Sequence, residues 1–361
     1  MSYCTKTPKL KIWLPWTKPM KYILLIINIF FSLSLFADNL ESQNVKNQFI
    51  FECAIYAYKN RNFERAKELF EECSNSLAAA NFYLGVLFEN GWGTAKDYKK
   101  AFEYYSKLAS LPTVKFEISH KGETTEIEST VALSKYNLGL LYLKGLGVSQ
   151  DINKGIELLK DVADIGNIYK AQMALGQIYY SNNYVPFDFE LAKKYYEKAS
   201  NLKNDTTGEA DLCLGVLFLD KKINDEAEEW FKKAINKGNN PAKNNLAYLY
   251  AMERKNLQES EILMKQLIHE DQGNDPSYWD TYGFVLYQQE KYSEAQNAFA
   301  KALSISHKEF NLLVHMGETC EKLEQNKEAI IFFTKAIGVT SNKAEQEKLK
   351  KKIEKLQLTS S

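Results

Sequence analysis

A chain of 361 residues is longer than one ordinary hydrophobic core, so it holds two domains or an array of repeats. Its formal net charge is zero, yet residues 1–37 carry Lys6, Lys9, Lys11, Lys18 and Lys21 and no acid, which leaves the remainder acidic by five charges. That acidic body, with only three arginines (Arg61, Arg65 and Arg254), excludes DNA or RNA as the main partner, because phosphate binding needs a basic surface.

The first predicted element is a targeting segment. Behind Met20-Lys21, Tyr22–Phe36 is a mostly apolar run of 15 residues that ends at Ala37 and Asp38. A basic start, a short apolar stretch and a small residue at its end predict a secretory signal cleaved after Ala37. A spanning helix needs about 20 apolar residues, and Asn28 interrupts this one. The expected location is therefore the periplasm or the exterior. One alternative is a protein anchored by residues 22–36; another is a cytoplasmic scaffold whose apparent signal is an artefact of the start site. Residues 1–19, with Pro8, Pro15 and Pro19, read as an extended leader. Contact with a membrane is expected through this segment alone.

From residue 50 onward the chain repeats. One frame recurs eight times: a small residue, a large apolar or aromatic residue four on, and a small or apolar residue three further. Its members are Ala66/Phe70/Cys73, Ala101/Tyr105/Leu108, Gly155/Leu159/Val162, Ala192/Tyr196/Ala199, Ala227/Phe231/Ala234, Ser260/Met264/Leu267, Ala295/Phe299/Ala302 and Ala329/Phe333/Ala336. Spacing of i, i+4, i+7 is one face of an α-helix. Ahead of each frame lies a second helix marked by one small residue: Ala54, Gly85, Gly139, Gly176, Gly215, Ala247, Gly283 and Gly317. Marker and frame are 12 or 13 residues apart in five repeats and 16 apart in the second, third and fourth. Small residues let the two helices approach as an antiparallel pair, and the aromatic fills the gap to the next pair. One pair cannot bury its apolar faces alone, so stacking makes the core. Asn240-Pro241 and Asp275-Pro276 read as helix starts, a cap followed by proline.

Two stretches stand apart from the repeats. Residues 113–128 alternate apolar and polar around His120-Lys121-Gly122-Glu123, which predicts a projecting β-hairpin. Residues 341–361 hold a Lys/Glu-rich helix whose Leu349, Ile353 and Leu356 form a narrow apolar stripe, suited to closing the end of the array.

The repeats with the shorter spacing resemble tetratricopeptide repeats, best in 276–305 and 309–338. Those with the longer spacing resemble Sel1-like repeats, through Tyr83-Leu84-Gly85-Val86-Leu87-Phe88-Glu89-Asn90-Gly91-Trp92-Gly93 and Tyr136-Asn137-Leu138-Gly139-Leu140-Leu141-Tyr142-Leu143-Lys144-Gly145-Leu146-Gly147. The fourth repeat departs, with Ser181-Asn182-Asn183-Tyr184 in place of the glycine turn. The resemblance implies an all-α, right-handed superhelix of about eight helix pairs with a C-terminal capping helix. In that layout residues 50–205 hold a tetratricopeptide-like first repeat and then Sel1-like repeats, and 206–340 hold tetratricopeptide-type repeats. It also implies that the first helix of each pair lines a concave face. The positions three before and one after the marker would then meet a partner: Phe82 and Val86, Tyr136 and Leu140, Met173 and Gln177, Leu212 and Val216, Asn244 and Tyr248, Asp280 and Phe284, Val314 and Glu318. The resemblance implies a scaffold or adaptor for a partner protein or peptide.

Chemistry is sparse. Cys53, Cys73, Cys213 and Cys320 follow the segment 1–37 without a C-x-x-C or a Cys/His zinc spacing, and their register predicts small buried hydrophobes. His120, His269, His307 and His315 form no metal-binding pair, and no G-x-S-x-G occurs. Gly91-x-Gly93 and Gly145-x-Gly147 follow helices, not strands, so they read as turns and not phosphate loops. Neither a cofactor nor a catalytic role is expected. The enzymatic alternative is a cell-wall-related (β-lactam or peptidoglycan) hydrolase of the exported Sel1-like type, but the joint S-x-x-K, S-D-N and K-T-G constellation is missing.

Overall fold

The computed structural model describes residues 42–112, 126–165, 168–202, 205–307 and 309–359. The signal segment and residues 113–125 of the expected hairpin lie outside these. Seventeen helices occur among the described residues, and the chain divides into two compact units that meet at Gln150 and Asp151. The first unit holds α1 (Ser42–Lys59), α2 (Phe63–Cys73), α3 (Ala78–Asn90), α4 (Tyr98–Ala109) and α5 (Glu126–Lys144). The second holds α6 (Ile152–Asp164), α7 (Tyr169–Ser181), α8 (Phe189–Ser200), α9 (Glu209–Asp220), α10 (Asn224–Asn236), α11 (Asn240–Glu253), α12 (Leu257–Glu270), α13 (Pro276–Gln288), α14 (Tyr292–Ile305), α15 (Phe310–Lys322), α16 (Asn326–Val339) and α17 (Lys343–Thr359). Within each unit consecutive helices pack in pairs, as α1 with α2, α3 with α4, and α7 with α8 through α15 with α16. No helix among the described residues is long and apolar enough to cross a membrane.

One part of the hairpin reading needs correction. Glu126, Ile127 and Glu128 belong to the first turn of α5 and not to a strand. Ile127, Val131, Ser134 and Leu138 continue at helical spacing. A second, smaller shift concerns α11. Its cap is Asn239, whose Oδ1 accepts the N–H of Ala242 at 3.0 Å, one residue ahead of the cap expected at Asn240. Asp275 does cap α13, and Asp97, Asp151 and Asp188 cap α4, α6 and α8 by accepting a backbone N–H three residues on.

The repeating frame is the core. All 24 residues of the eight triplets are buried. In the five pairs that have both a marker glycine and a ring, the ring lies on that glycine: a Cβ at Gly283 would sit 2.6 Å from the Phe299 ring, and one at Gly317 would sit 2.5 Å from Phe333. Some rings also reach the next pair, as Phe70 stacks on Tyr83 at 4.9 Å and Phe299 meets His315 at 5.5 Å between centroids. Ser260 fits its small position because its hydroxyl donates to the Asn256 carbonyl at 3.1 Å, so burial leaves it satisfied. Leu349 and Leu356 of α17 join the core that holds Met316 and Phe333, which closes the last pair as expected of a cap.

The long and short connections differ in how they turn. In the long ones Gly93 and Gly147 have φ of 65° and 72°, and a Cβ on either would run into the backbone at the start of α2 or α4. In the short ones the left-handed turn falls on Arg61, Lys222, Arg254, Glu290 and Glu324, with φ between 53° and 62°.

Candidate functional site

In the first unit α3 and α5 touch, and Phe82, Val86, Tyr136 and Leu140 all lie half-buried on them. Phe82 meets Tyr105 at 6.2 Å between centroids, and the Tyr105 hydroxyl donates to Glu89 Oε2 at 2.7 Å. Burial pushes the Tyr136 phenol up, and the charge of Glu89 adds to that.

In the second unit the first helices of successive pairs touch in a row, α9 with α11, α11 with α13 and α13 with α15. Met173, Leu212, Val216, Asn244, Tyr248, Asp280, Phe284, Val314 and Glu318 are half-buried, and Gln177 is exposed. Apart from Gln177, these positions are therefore neither sealed into the core nor flush with solvent. Tyr196 donates to Gln177 Oε1 at 3.3 Å. The rings form a ladder across three helices. Tyr248 of α11 meets Phe284 of α13 at 5.4 Å, and Phe284 stacks on His315 of α15 at 5.2 Å. Asp280 Oδ1 lies 2.8 Å from His315 Nδ1, and Phe299 backs the imidazole at 5.5 Å. Glu318 is already engaged, because Lys352 of α17 reaches it at 2.6 Å.

His315, Tyr180, Tyr287 and Glu321 were missed by position counting. The last three lie four residues after the markers Gly176, Gly283 and Gly317, so extending the predicted stripe by one helical turn finds them. Tyr287 is pushed up to about 12 by burial, helped by Glu318.

The four cysteines among the described residues are free; Cys73 and Cys320 are buried, and Cys53 and Cys213 half-buried. Burial pushes the Cys213 thiol up to about 11, which opposes thiolate chemistry. Among the described residues no cluster of His, Cys, Asp and Glu has the make-up of a metal site.

Paired helices stacked on a recurring small-aromatic-small frame define the class of helical repeat proteins. Comparison with known families specifies the repeats. Residues 78–112, 132–166, 170–204 and 222–239 match the Sel1 repeat, and 310–343 match the tetratricopeptide repeat. The chain is thus a protein of Sel1 and tetratricopeptide repeats. The fourth Sel1 match falls inside the stretch expected to be purely tetratricopeptide-like. Among solved structures, c5321, a protective antigen present in uropathogenic Escherichia coli strains displaying an SLR fold, is 20% identical with a TM-score of 0.60. The match covers 86% of this chain and 66% of c5321, so this chain spans just under two thirds of that protein. A Sel1 repeat protein from Oxalobacter formigenes is 22% identical with a TM-score of 0.50, over 70% of this chain and 99% of that one. Both similarities concern the fold.

Proposed function

We propose that this protein is a non-catalytic adaptor that binds a partner protein or peptide along its first helices, on the outer side of a membrane. The observation that carries the reading is the half-exposed ladder of Tyr248, Phe284 and His315 on three consecutive first helices. A surface of that kind, apolar yet open to solvent and flanked by polar groups, suits an extended peptide or an amphipathic helix. Phe82, Tyr136 and Leu140 supply a second apolar surface in the first unit, and Met173, Gln177 and Leu212 continue the stripe in the second. No member of the two-lysine clamp that some tetratricopeptide proteins use for a C-terminal carboxylate stands at these positions, so an internal segment is the expected ligand.

Export rests on the basic and apolar pattern of residues 1–37. Alkaline phosphatase fused at residue 50 is expected to be active in a bacterial host, and an inactive fusion would favour a cytoplasmic scaffold. For binding, a cross-linked pull-down from the native compartment is expected to recover a partner that Tyr136→Glu or Phe284→Glu loses. Recovery of the same partner by both variants would place binding elsewhere.

A further inference from the structure

Rings and carboxylates alternate along the first helices of the second unit. The Tyr180 hydroxyl donates to Asp220 Oδ2 at 2.6 Å. Tyr248 is held up by burial and then by the charge of Asp280. Tyr287 has Glu318 and Glu321 as its nearby acids. Each of these three tyrosines therefore carries an anionic neighbour.

The chain's own cations show what such a surface accepts. Lys352 places its ammonium 2.6 Å from Glu318, 4.0 Å from Glu321 and 5.2 Å from the centre of the Phe333 ring. Lys221, just past the end of α9, sits 4.9 Å over Phe187 in the connection between α7 and α8. Arg254, at the end of α11, bonds Gln288 at 3.0 Å. A ring face beside a carboxylate attracts ammonium and guanidinium groups and repels acids.

Spacing adds a register. Packed helices lie about 8–10 Å apart, and an extended chain in the polyproline II conformation advances about 3.1 Å per residue and returns to the same face every third residue. Three residues of such a bound segment would span one step from α11 to α13 or from α13 to α15.

Resting on the adaptor reading above, we infer that this surface takes an extended peptide segment bearing lysine or arginine, with apolar side chains about three residues apart over Tyr248 and Phe284 and a cationic side chain toward Asp280 and Glu321, Glu318 being held by Lys352.

The test is a positional library of nine-residue peptides selected on the immobilised full chain, with hits measured by fluorescence anisotropy. The expected result is enrichment of Lys or Arg three residues beyond an apolar residue. Replacing that cation by Glu should weaken binding more than about tenfold, and affinity should fall as salt rises. D280N/E321Q, with its helical content and melting checked, should erase the charge preference while apolar binding survives. Enrichment of acidic or uncharged peptides would overturn the inference and leave the adaptor reading standing. No enrichment at all, or binding indifferent to Phe284→Glu, would overturn both.

Discussion

At the scale of single residues, the contact between a marker glycine and the ring of its own pair governs how much substitution the core accepts. Gly283 has no space for a methyl group before Phe299. Gly283→Ala should cost about 1–3 kcal/mol despite alanine's better helix propensity, because overpacking outweighs it. Urea unfolding of the variant measures this, and an unchanged midpoint would mean that the ring simply swings aside. The opposite sign is expected at Lys222, which carries φ of 61° in a short turn. A non-glycine residue there pays a steric penalty of about 1–2 kcal/mol, and glycine returns some of it as unfolded-state entropy. Lys222→Gly should therefore stabilise by about 0.5–1 kcal/mol, read in the same assay.

Acid sensitivity also belongs to one side chain. Lys265 and Lys291 hold the Glu261 carboxyl down to about 2, from an ordinary 4.5. A carboxyl whose folded value is depressed contributes stability above pH 4.5 and loses it as pH falls toward 2. Glu261→Gln should flatten stability across that window, in melts taken from pH 6 to about 2.5. Equal slopes for both proteins would refute the pairing.

Connections between elements depend on more than apolar contact. Asp205 and Asp211 are buried and share Lys237, at 2.7 and 2.6 Å. The Tyr169 hydroxyl donates to Asp205 at 3.3 Å, and Ser200 donates to Asp211. This network ties the link between α8 and α9 to the end of α10. Lys237→Met would strand two carboxylates out of water, and a loss of about 3–5 kcal/mol is expected. Double substitution with Asp205→Asn should recover part of it, whereas additive losses would argue against coupling.

What could be read from sequence follows the same divide between local and distant contacts. The triplets and markers were legible because residue type and spacing agree eight times over, and even Ser260 and Met264, the least regular members, are buried where the frame puts them. The start of α5 was not, since Thr124 to Glu128 suits either a strand or a helix when viewed alone. Tyr248 and Phe284 of the ladder were reached through family resemblance and helical phase. His315 was not, because its partner Asp280 lies 35 residues away on another helix and no local pattern announces it. Lys352 on Glu318 and Lys237 on Asp205 escaped for the same reason.

Across the whole molecule, each helix pair leans on its neighbours and not on one central core, so cooperativity is limited in range. With residues 1–37 removed, and Trp13 and Trp16 with them, Trp92 reports on the first unit, and Trp230 and Trp279 on the second. In urea, fluorescence of W230F/W279F and of W92F should give midpoints that differ, while far-UV circular dichroism spans both transitions. Superimposable curves would mean that the two units unfold as one.

Because each glycine-ring contact is internal to a pair, a pair travels with its own fastening. Residues 276–309 form one such cassette, α13 with α14, beginning at Pro276 and ending ahead of Phe310. Excising it joins two seams of the same design, and copying it adds another. Length, and with it the number of partner residues that can be read, is thus adjustable in whole steps by recombination, without inventing a new interior each time.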